Sequence, residues 1–428
     1  MERSSHSPDP LSRRSFLLRG LGGAVALLGA PRAGWARPAG AADALLLVWL
    51  KGGASHLDTF DPKPGTREGG PTRAIDTRRR GLQLAEHLPR LAERAERLAF
   101  VRSLAAREGD HARASYLLHT GFTPSTTVAH PTLGSLLAAE RAAGPEERGD
   151  VPAFVSLGPE PVGPGYRGVA HAAFEVQDGR RTPLQRDPVL DAERLERRRA
   201  LAEGLEEGFA RRSGLLPAQK ERGSQRGSAR TAAWARAARL LEGPLGGALE
   251  LEPESAGLRD LYGRHPAGEA LLRARRLIEA GVGCVEVVLD GWDDHQDLWT
   301  NLPPRARALD QALTGLFDDL DGRGRLPRTL VLCLGEFGRT PDVNERGGRD
   351  HWPQNNAALL FGGGLRPAVV GATTPDGRAP AARPVRMADL FATALTRLGL
   401  DPSAERYAGD RPMTLADAGT AIAELLPT

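Results

Sequence analysis

Beyond the first 40 residues of this 428-residue chain, four segments set a histidine within three residues of an aspartate. They are Ser55-His56-Leu57-Asp58, Gly109-Asp110-His111, Gly291-Trp292-Asp293-Asp294-His295 and Gly348-Arg349-Asp350-His351. Neutral imidazole together with carboxylate is a ligand set for a divalent metal, with zinc, manganese, calcium and iron all open by donor type. A single Asp-His neighbour pair in a loop reads as turn chemistry or solvated charge. Four of the ten histidines arranged this way form a pattern. A fifth segment, Gly335-Glu336-Phe337-Gly338-Arg339-Thr340, adds a carboxylate and a guanidinium. Gly52, Gly53, Gly291, Gly335 and Gly338 suit tight turns in which backbone approaches a ligand closely.

Such residues need elements to hold them, and hydrophobic periodicity supplies candidates. Ala42 to Leu50 is a nearly continuous apolar run ending in Lys51-Gly52-Gly53, the pattern of a strand buried on both faces. Ala99-Phe100-Val101, Cys284 to Leu289, Thr329 to Leu334 and Ala357 to Phe361 read the same way. Helical spacing marks Pro89 to Arg97, Ala112 to His119 (closed by Gly121), Ala267 to Ala280, Arg305 to Leu320 and Met387 to Leu398. Strands alternating with helices predict a doubly wound, mostly parallel α/β sheet sandwiched by helices. In such sheets the chemistry sits beyond the carboxyl ends of the strands, where these segments fall.

Two stretches stand apart. Arg13-Arg14, an apolar run from Phe16 to Gly29 and small residues from Gly34 to Ala42 read as a secretory signal of the twin-arginine type over residues 1–40. The run is too short to span a bilayer as a mature helix. The expected localisation is periplasmic or envelope-associated, with residues 41–428 as a single domain. Within it, residues 187–250 are rich in arginine, glutamate and alanine, with leucines at helical spacing. They predict a peripheral helical insertion with a Gly/Ser/Arg segment near 222–229.

Composition excludes other classes. A formal net charge of +3 offers no bulk attraction for nucleic acid, and 5% aromatic residues offer no stacking platform. Only Lys51, Lys63 and Lys220 are lysines, so the basic residues are almost all arginine, as a codon bias would produce. Two cysteines, Cys284 and Cys333, make neither a metal knuckle nor a disulfide framework. No G-x-S-x-G elbow or G-x-x-x-x-G-K-[ST] loop occurs, and Gly362-Gly363-Gly364 lacks the wider dinucleotide fingerprint.

Six motifs together resemble the bacterial DUF1501 family: G-G-A-S-H-L-D-T-F-D-P-K-P from Gly52, L-H-T-G from Leu118, G-W-D-D-H from Gly291, G-E-F-G-R-T-P from Gly335, G-R-D-H-W-P from Gly348 and F-G-G-G from Phe361. The resemblance implies an alkaline phosphatase/sulfatase-like fold and twin-arginine export. It also implies departures. Counting back from Thr120, the superfamily's nucleophile position holds His111, and its late Asp-His metal pair corresponds to Glu336-Phe337.

Two functions follow as expectations. The first is an exported metal-dependent hydrolase of phosphate or sulfate esters without a Ser, Thr or Cys nucleophile. Asp58, Asp293, His295, Glu336, Asp350 and His351 are its candidate metal residues. His111 is a ligand or acid/base group, and Arg339 neutralises an anionic ester or glycan substrate. The alternative is a non-catalytic envelope protein of the same fold that binds a glycan, a metal or a partner protein.

Overall fold

The computed structural model describes residues 40–142, 151–159, 162–176 and 244–427, together with positions 197 and 201. The expected export signal, and the expected insertion up to residue 243 apart from those two positions, lie outside the described residues. The last part of the insertion, Pro244–Leu249, is helical.

Among the described residues, nine strands form the central sheet. In chain order they are β1 (Ala44–Leu50), β2 (Ala99–Ala105), β3 (Phe154–Leu157), β4 (Phe174–Val176), β5 (Cys284–Leu289), β6 (Thr329–Leu334), β9 (Asn356–Gly362), β10 (Val369–Val370) and β11 (Val385–Arg386). Two short strands, β7 (Gly338–Arg339) and β8 (His351–Trp352), pair with each other outside it. The sheet order is β10-β2-β9-β6-β1-β5-β3-β4, with β11 also on β2. Every pairing is parallel except those of β9, which runs against both β2 and β6. The fold is a mixed α/β sheet, largely parallel, with helices on both faces.

All seven residues of β1 are buried, and their alternation feeds two separate cores. Ala44, Leu46, Val48 and Leu50 face one layer, with leucines of the helices Pro266–Glu279 and Leu298–Gly322. Leu45, Leu47 and Trp49 face the other, with helices α1 (His111–Thr120), α2 (Leu133–Ala142) and α3 (Met387–Arg397). Each such side chain contributes about 1.5–3 kcal/mol relative to exposure, so a central strand apolar on both faces anchors both layers.

Helix Leu298–Gly322 begins seven residues earlier than the periodicity suggested and carries Pro303 and Pro304 inside it. Leu298 and Leu302 extend the same buried stripe, and that burial outweighs the helix-breaking signal of the prolines. The two thiols cannot pair: Cys284 and Cys333 lie on strands separated by β1 and belong to opposite cores.

Candidate metal centre

His111 is the first residue of α1. Asp110 caps that helix by accepting from the Arg113 N–H at 3.1 Å, and Gly121 closes it with a left-handed φ of 74°. Leu117 and Leu118 press the helix onto the sheet, which carries His111 to the ends of β1 and β6. There Nδ1 of His111 lies 2.8 Å from Oε1 of Glu336. The Glu336 carboxylate is buried and also accepts from Trp49 Nε1 and the Gly52 N–H, each at 2.9 Å. A carboxylate in this role accepts, so Nδ1 holds the ring proton and Nε2 is left as the donor atom. The Glu336 hydrogen bond raises the His111 pKa, against the opposing effect of burial.

Two more histidines repeat this arrangement. His295, in the segment after β5, has Nδ1 2.9 Å from Oδ1 of Asp350. His351, on β8, directs Nδ1 at the Gly109 carbonyl oxygen at 2.8 Å. In each case Nε2 is turned toward Asp293. His295 Nε2 lies 3.1 Å and His351 Nε2 3.3 Å from Asp293 Oδ1, and His111 Nε2 lies 3.4 Å from Oδ2. The Nε2 atoms of His295 and His351 are 3.0 Å apart. Burial pulls the His351 pKa down, favouring the neutral ring that a metal requires.

Asp293 is held from below. Arg339 is fully buried and donates to the Asp293 carboxylate, to the carbonyl oxygens of Gly52 and Gly53, and to that of Arg349. Burial alone would push the Asp293 pKa up. The Arg339 hydrogen bond and charge, with His295 and His111, bring it down to about 2. Gly52 is required beside it: φ is 112°, and a Cβ there would meet the Asp293 backbone nitrogen at 2.5 Å.

This donor set fits a divalent ion. Donors about 2.0–2.1 Å from one tetrahedral ion sit about 3.3 Å from one another; each Nε2 lies 3.1–3.4 Å from one or other Asp293 oxygen, and those of His295 and His351 lie 3.0 Å apart. His111, Asp293 and His351 each offer a ligand atom within 4.8 Å of the others. The four side chains remain 25–44% exposed, so a bound ion would have an open side.

Of the residues singled out in the sequence, His111, Asp293, His295 and His351 come together. Glu336 and Asp350 do not point at the shared point; each holds the Nδ1 side of a histidine. Asp58 is a correction. Its buried carboxylate accepts from Ser55, Thr72, Trp299 and Arg349, so it is consumed by a structural network. Arg339, expected to meet a substrate, has no exposed surface and is paired with Asp293. His56 is buried with Nε2 3.0 Å from the Gly377 carbonyl oxygen, away from the cluster. Sequence reasoning missed Trp49 and the Gly109 carbonyl. A tryptophan in an otherwise aliphatic strand was the only available signal for the first, and a backbone oxygen leaves none. Phe337 is buried and lies against the rings of His111 and His351, with centroids 5.0 and 4.4 Å away.

No curated protein matches the sequence. Similar solved structures include the lipoteichoic acid synthase LtaP from Listeria monocytogenes, at 10% identity over 95% of this chain and 81% of that one, with a TM-score of 0.39. The PsFucS1 sulfatase from Pseudoalteromonas sp. is 12% identical over 90% and 71%, with a TM-score of 0.36. An alkaline phosphatase from the Antarctic bacterium TAB5 is 10% identical over 84% and 98%, with a TM-score of 0.32. Residues 42–426 match the family described as "Protein of unknown function (DUF1501)", and the chain belongs to that family.

Proposed function

We propose that this chain is a metal-dependent hydrolase of phosphate or sulfate esters, with the ion held by His111, Asp293, His295 and His351. The observation that carries this reading is the convergence of three Nε2 atoms on one carboxylate, each ring anchored through Nδ1 by its own acceptor. An ion there would supply Lewis-acid polarisation of an ester oxygen and a lowered pKa for water. The chain's own contribution is preorganisation: Glu336, Asp350 and the Gly109 carbonyl select the tautomers, and Arg339 keeps Asp293 ionised. A histidine heads α1, so the hydrolysis proposed runs by direct attack of water on phosphorus or sulfur. The bond to the ester oxygen breaks, and the alcohol leaves with a proton. Export through the twin-arginine route belongs to the same reading and rests on Arg13-Arg14 and the apolar run after them.

One observation favours a non-catalytic binding role: Arg339, the cation expected to meet an anionic substrate, is buried. A single set of measurements separates the two. Purified protein is assayed for bound metal by mass spectrometry and for turnover of 4-nitrophenyl phosphate and 4-nitrophenyl sulfate, alongside His295→Ala. The hydrolase reading expects metal in the wild type, turnover with one ester, and loss of both in the variant. Metal without turnover of any anionic ester supports the binding role, and protein that takes up no divalent ion contradicts the metal centre. Retention of the precursor in the cytoplasm after replacing Arg13 and Arg14 with lysine tests export.

A further inference from the structure

The Leu118-His119-Thr120-Gly121 motif has no part in the metal centre, yet its histidine is wholly buried beneath it. His119 lies eight residues after His111 on α1, about two turns further along. Its Nδ1 is 2.6 Å from the Ser115 carbonyl oxygen and its Nε2 is 3.2 Å from Oε1 of Glu286 on β5. Carbonyl and carboxylate oxygens both accept, so this geometry suits an imidazolium paired with a buried carboxylate. Burial pulls the His119 pKa down, and the charge and hydrogen bond of Glu286, with the Ser115 carbonyl and the Glu336 charge, together raise it above its ordinary value.

Trp49 connects this pair to the site. Leu47 is opposite Glu286 in the β1–β5 register and Trp49 is opposite Val288, so Trp49 and Glu286 project from the same face of the sheet, beneath α1. The Trp49 and His119 rings meet edge to face, with centroids 4.7 Å apart and planes at 83°. The Trp49 indole N–H donates to one oxygen of Glu336, whose other oxygen receives His111. Helix α1 is thus fastened to the sheet at both ends by a histidine–glutamate pair, with Trp49 between them.

We propose that His119, Glu286 and Trp49 are positioning residues for the metal centre: the buried pair seats α1 and braces Trp49, and Trp49 holds the Glu336 carboxylate that aims His111. The proposal rests on the metal reading and deepens it. A tautomer and ring orientation fixed by partners outside the ligand set is how proteins hold histidine ligands, and loss of such partners weakens metal binding.

The test measures zinc affinity of the full chain by chelator competition for the wild type, Trp49→Phe, Glu286→Gln, His119→Gln and Tyr262→Phe. The last is a control, because it removes a buried hydrogen bond to Asp319 in the opposite core. Trp49→Phe and the two pair variants are expected to weaken zinc about tenfold, the low end for outer partners of zinc ligands, with Tyr262→Phe unchanged. Two-bond proton–nitrogen NMR of the metal-free protein reads the His111 tautomer directly. The wild type should carry its proton on Nδ1, and Trp49→Phe should show a mixture. Trp49→Phe keeps an aromatic ring in place, so it decides the matter if His119→Gln does not fold. Folded Trp49→Phe and Glu286→Gln with wild-type zinc affinity and an unchanged His111 tautomer would overturn the proposal. A wild type that takes up neither zinc nor any other divalent ion would instead defeat the metal reading, and the tautomer measurement would still decide the positioning role.

Discussion

Asp58 and Arg349 form an ion pair in which both side chains are wholly buried, 2.8 Å apart in space and 291 positions apart in sequence. The pair ties the segment after β1 to the one that carries Asp350 and His351. Arg349 also donates to the carbonyl oxygens of Glu68, Thr340 and Pro341, so its charge is satisfied on all sides.

Breaking this pair should cost stability rather than metal. Asp58→Ala leaves a buried guanidinium uncompensated, and a loss of about 3–5 kcal/mol is expected in urea unfolding. The folded fraction should bind divalent metal with wild-type stoichiometry. A variant of normal stability that has lost its metal would return Asp58 to the ligand set.

Asp350 should behave in the opposite way. It accepts from His295 Nδ1 and Asn344 Nδ2 at a partly exposed position. The His295 hydrogen bond also holds its pKa down. Asp350→Asn should therefore weaken metal binding about 10–100-fold with little change in unfolding free energy. His265→Ala, at the N-cap of helix Pro266–Glu279, should leave metal affinity unchanged and cost about 1 kcal/mol of stability. Equal metal losses in the two variants would contradict this assignment.

Arg339→Lys tests the support beneath Asp293. An ammonium cannot reproduce the fork that reaches the Gly52, Gly53 and Arg349 carbonyls together with the carboxylate. Reduced stability and weaker metal binding are expected together, and the Asp293 pKa should rise from about 2. Unchanged metal affinity with a raised KM for an anionic ester would instead assign Arg339 to the substrate.

His56 should make the fold acid-sensitive. Burial, only partly offset by the Gly377 hydrogen bond, takes its pKa from 6.5 down to about 4. Between those values the unfolded chain binds the proton and the folded chain does not, so stability falls as pH drops from about 6.5 towards 4. The full effect is about 3 kcal/mol at 1.36 kcal/mol per pH unit. His56→Gln should remove that component, which differential scanning calorimetry of both proteins between pH 7 and pH 4 would detect. Parallel pH profiles would contradict it.

The sequence by itself determined the five longest strands of the sheet and most of the length of five helices, but not the short strands β3, β4, β10 and β11 or helix α2. Continuous apolar runs such as Ala44–Leu50 and Thr329–Leu334 have few alternatives to burial on both faces, and Gly121 marks a helix end through local backbone geometry. It also nominated the segments that meet at Asp293, because Asp and His in turns after strands are visible as residue types. Only the tertiary structure decided which of them meet. Asp58 and Asp293 look alike in sequence, yet one lies against Arg349 with no exposed surface and the other stands among three imidazoles. Arg339 reads as an available cation until its donors are seen to be taken by the Gly53 and Arg349 carbonyls and by Asp293. The reason is physical: a ligand role depends on which lone pairs are left after every nearer partner is satisfied. Those partners, Trp49, Glu336 and the Gly109 carbonyl among them, come from segments that only the sheet brings together.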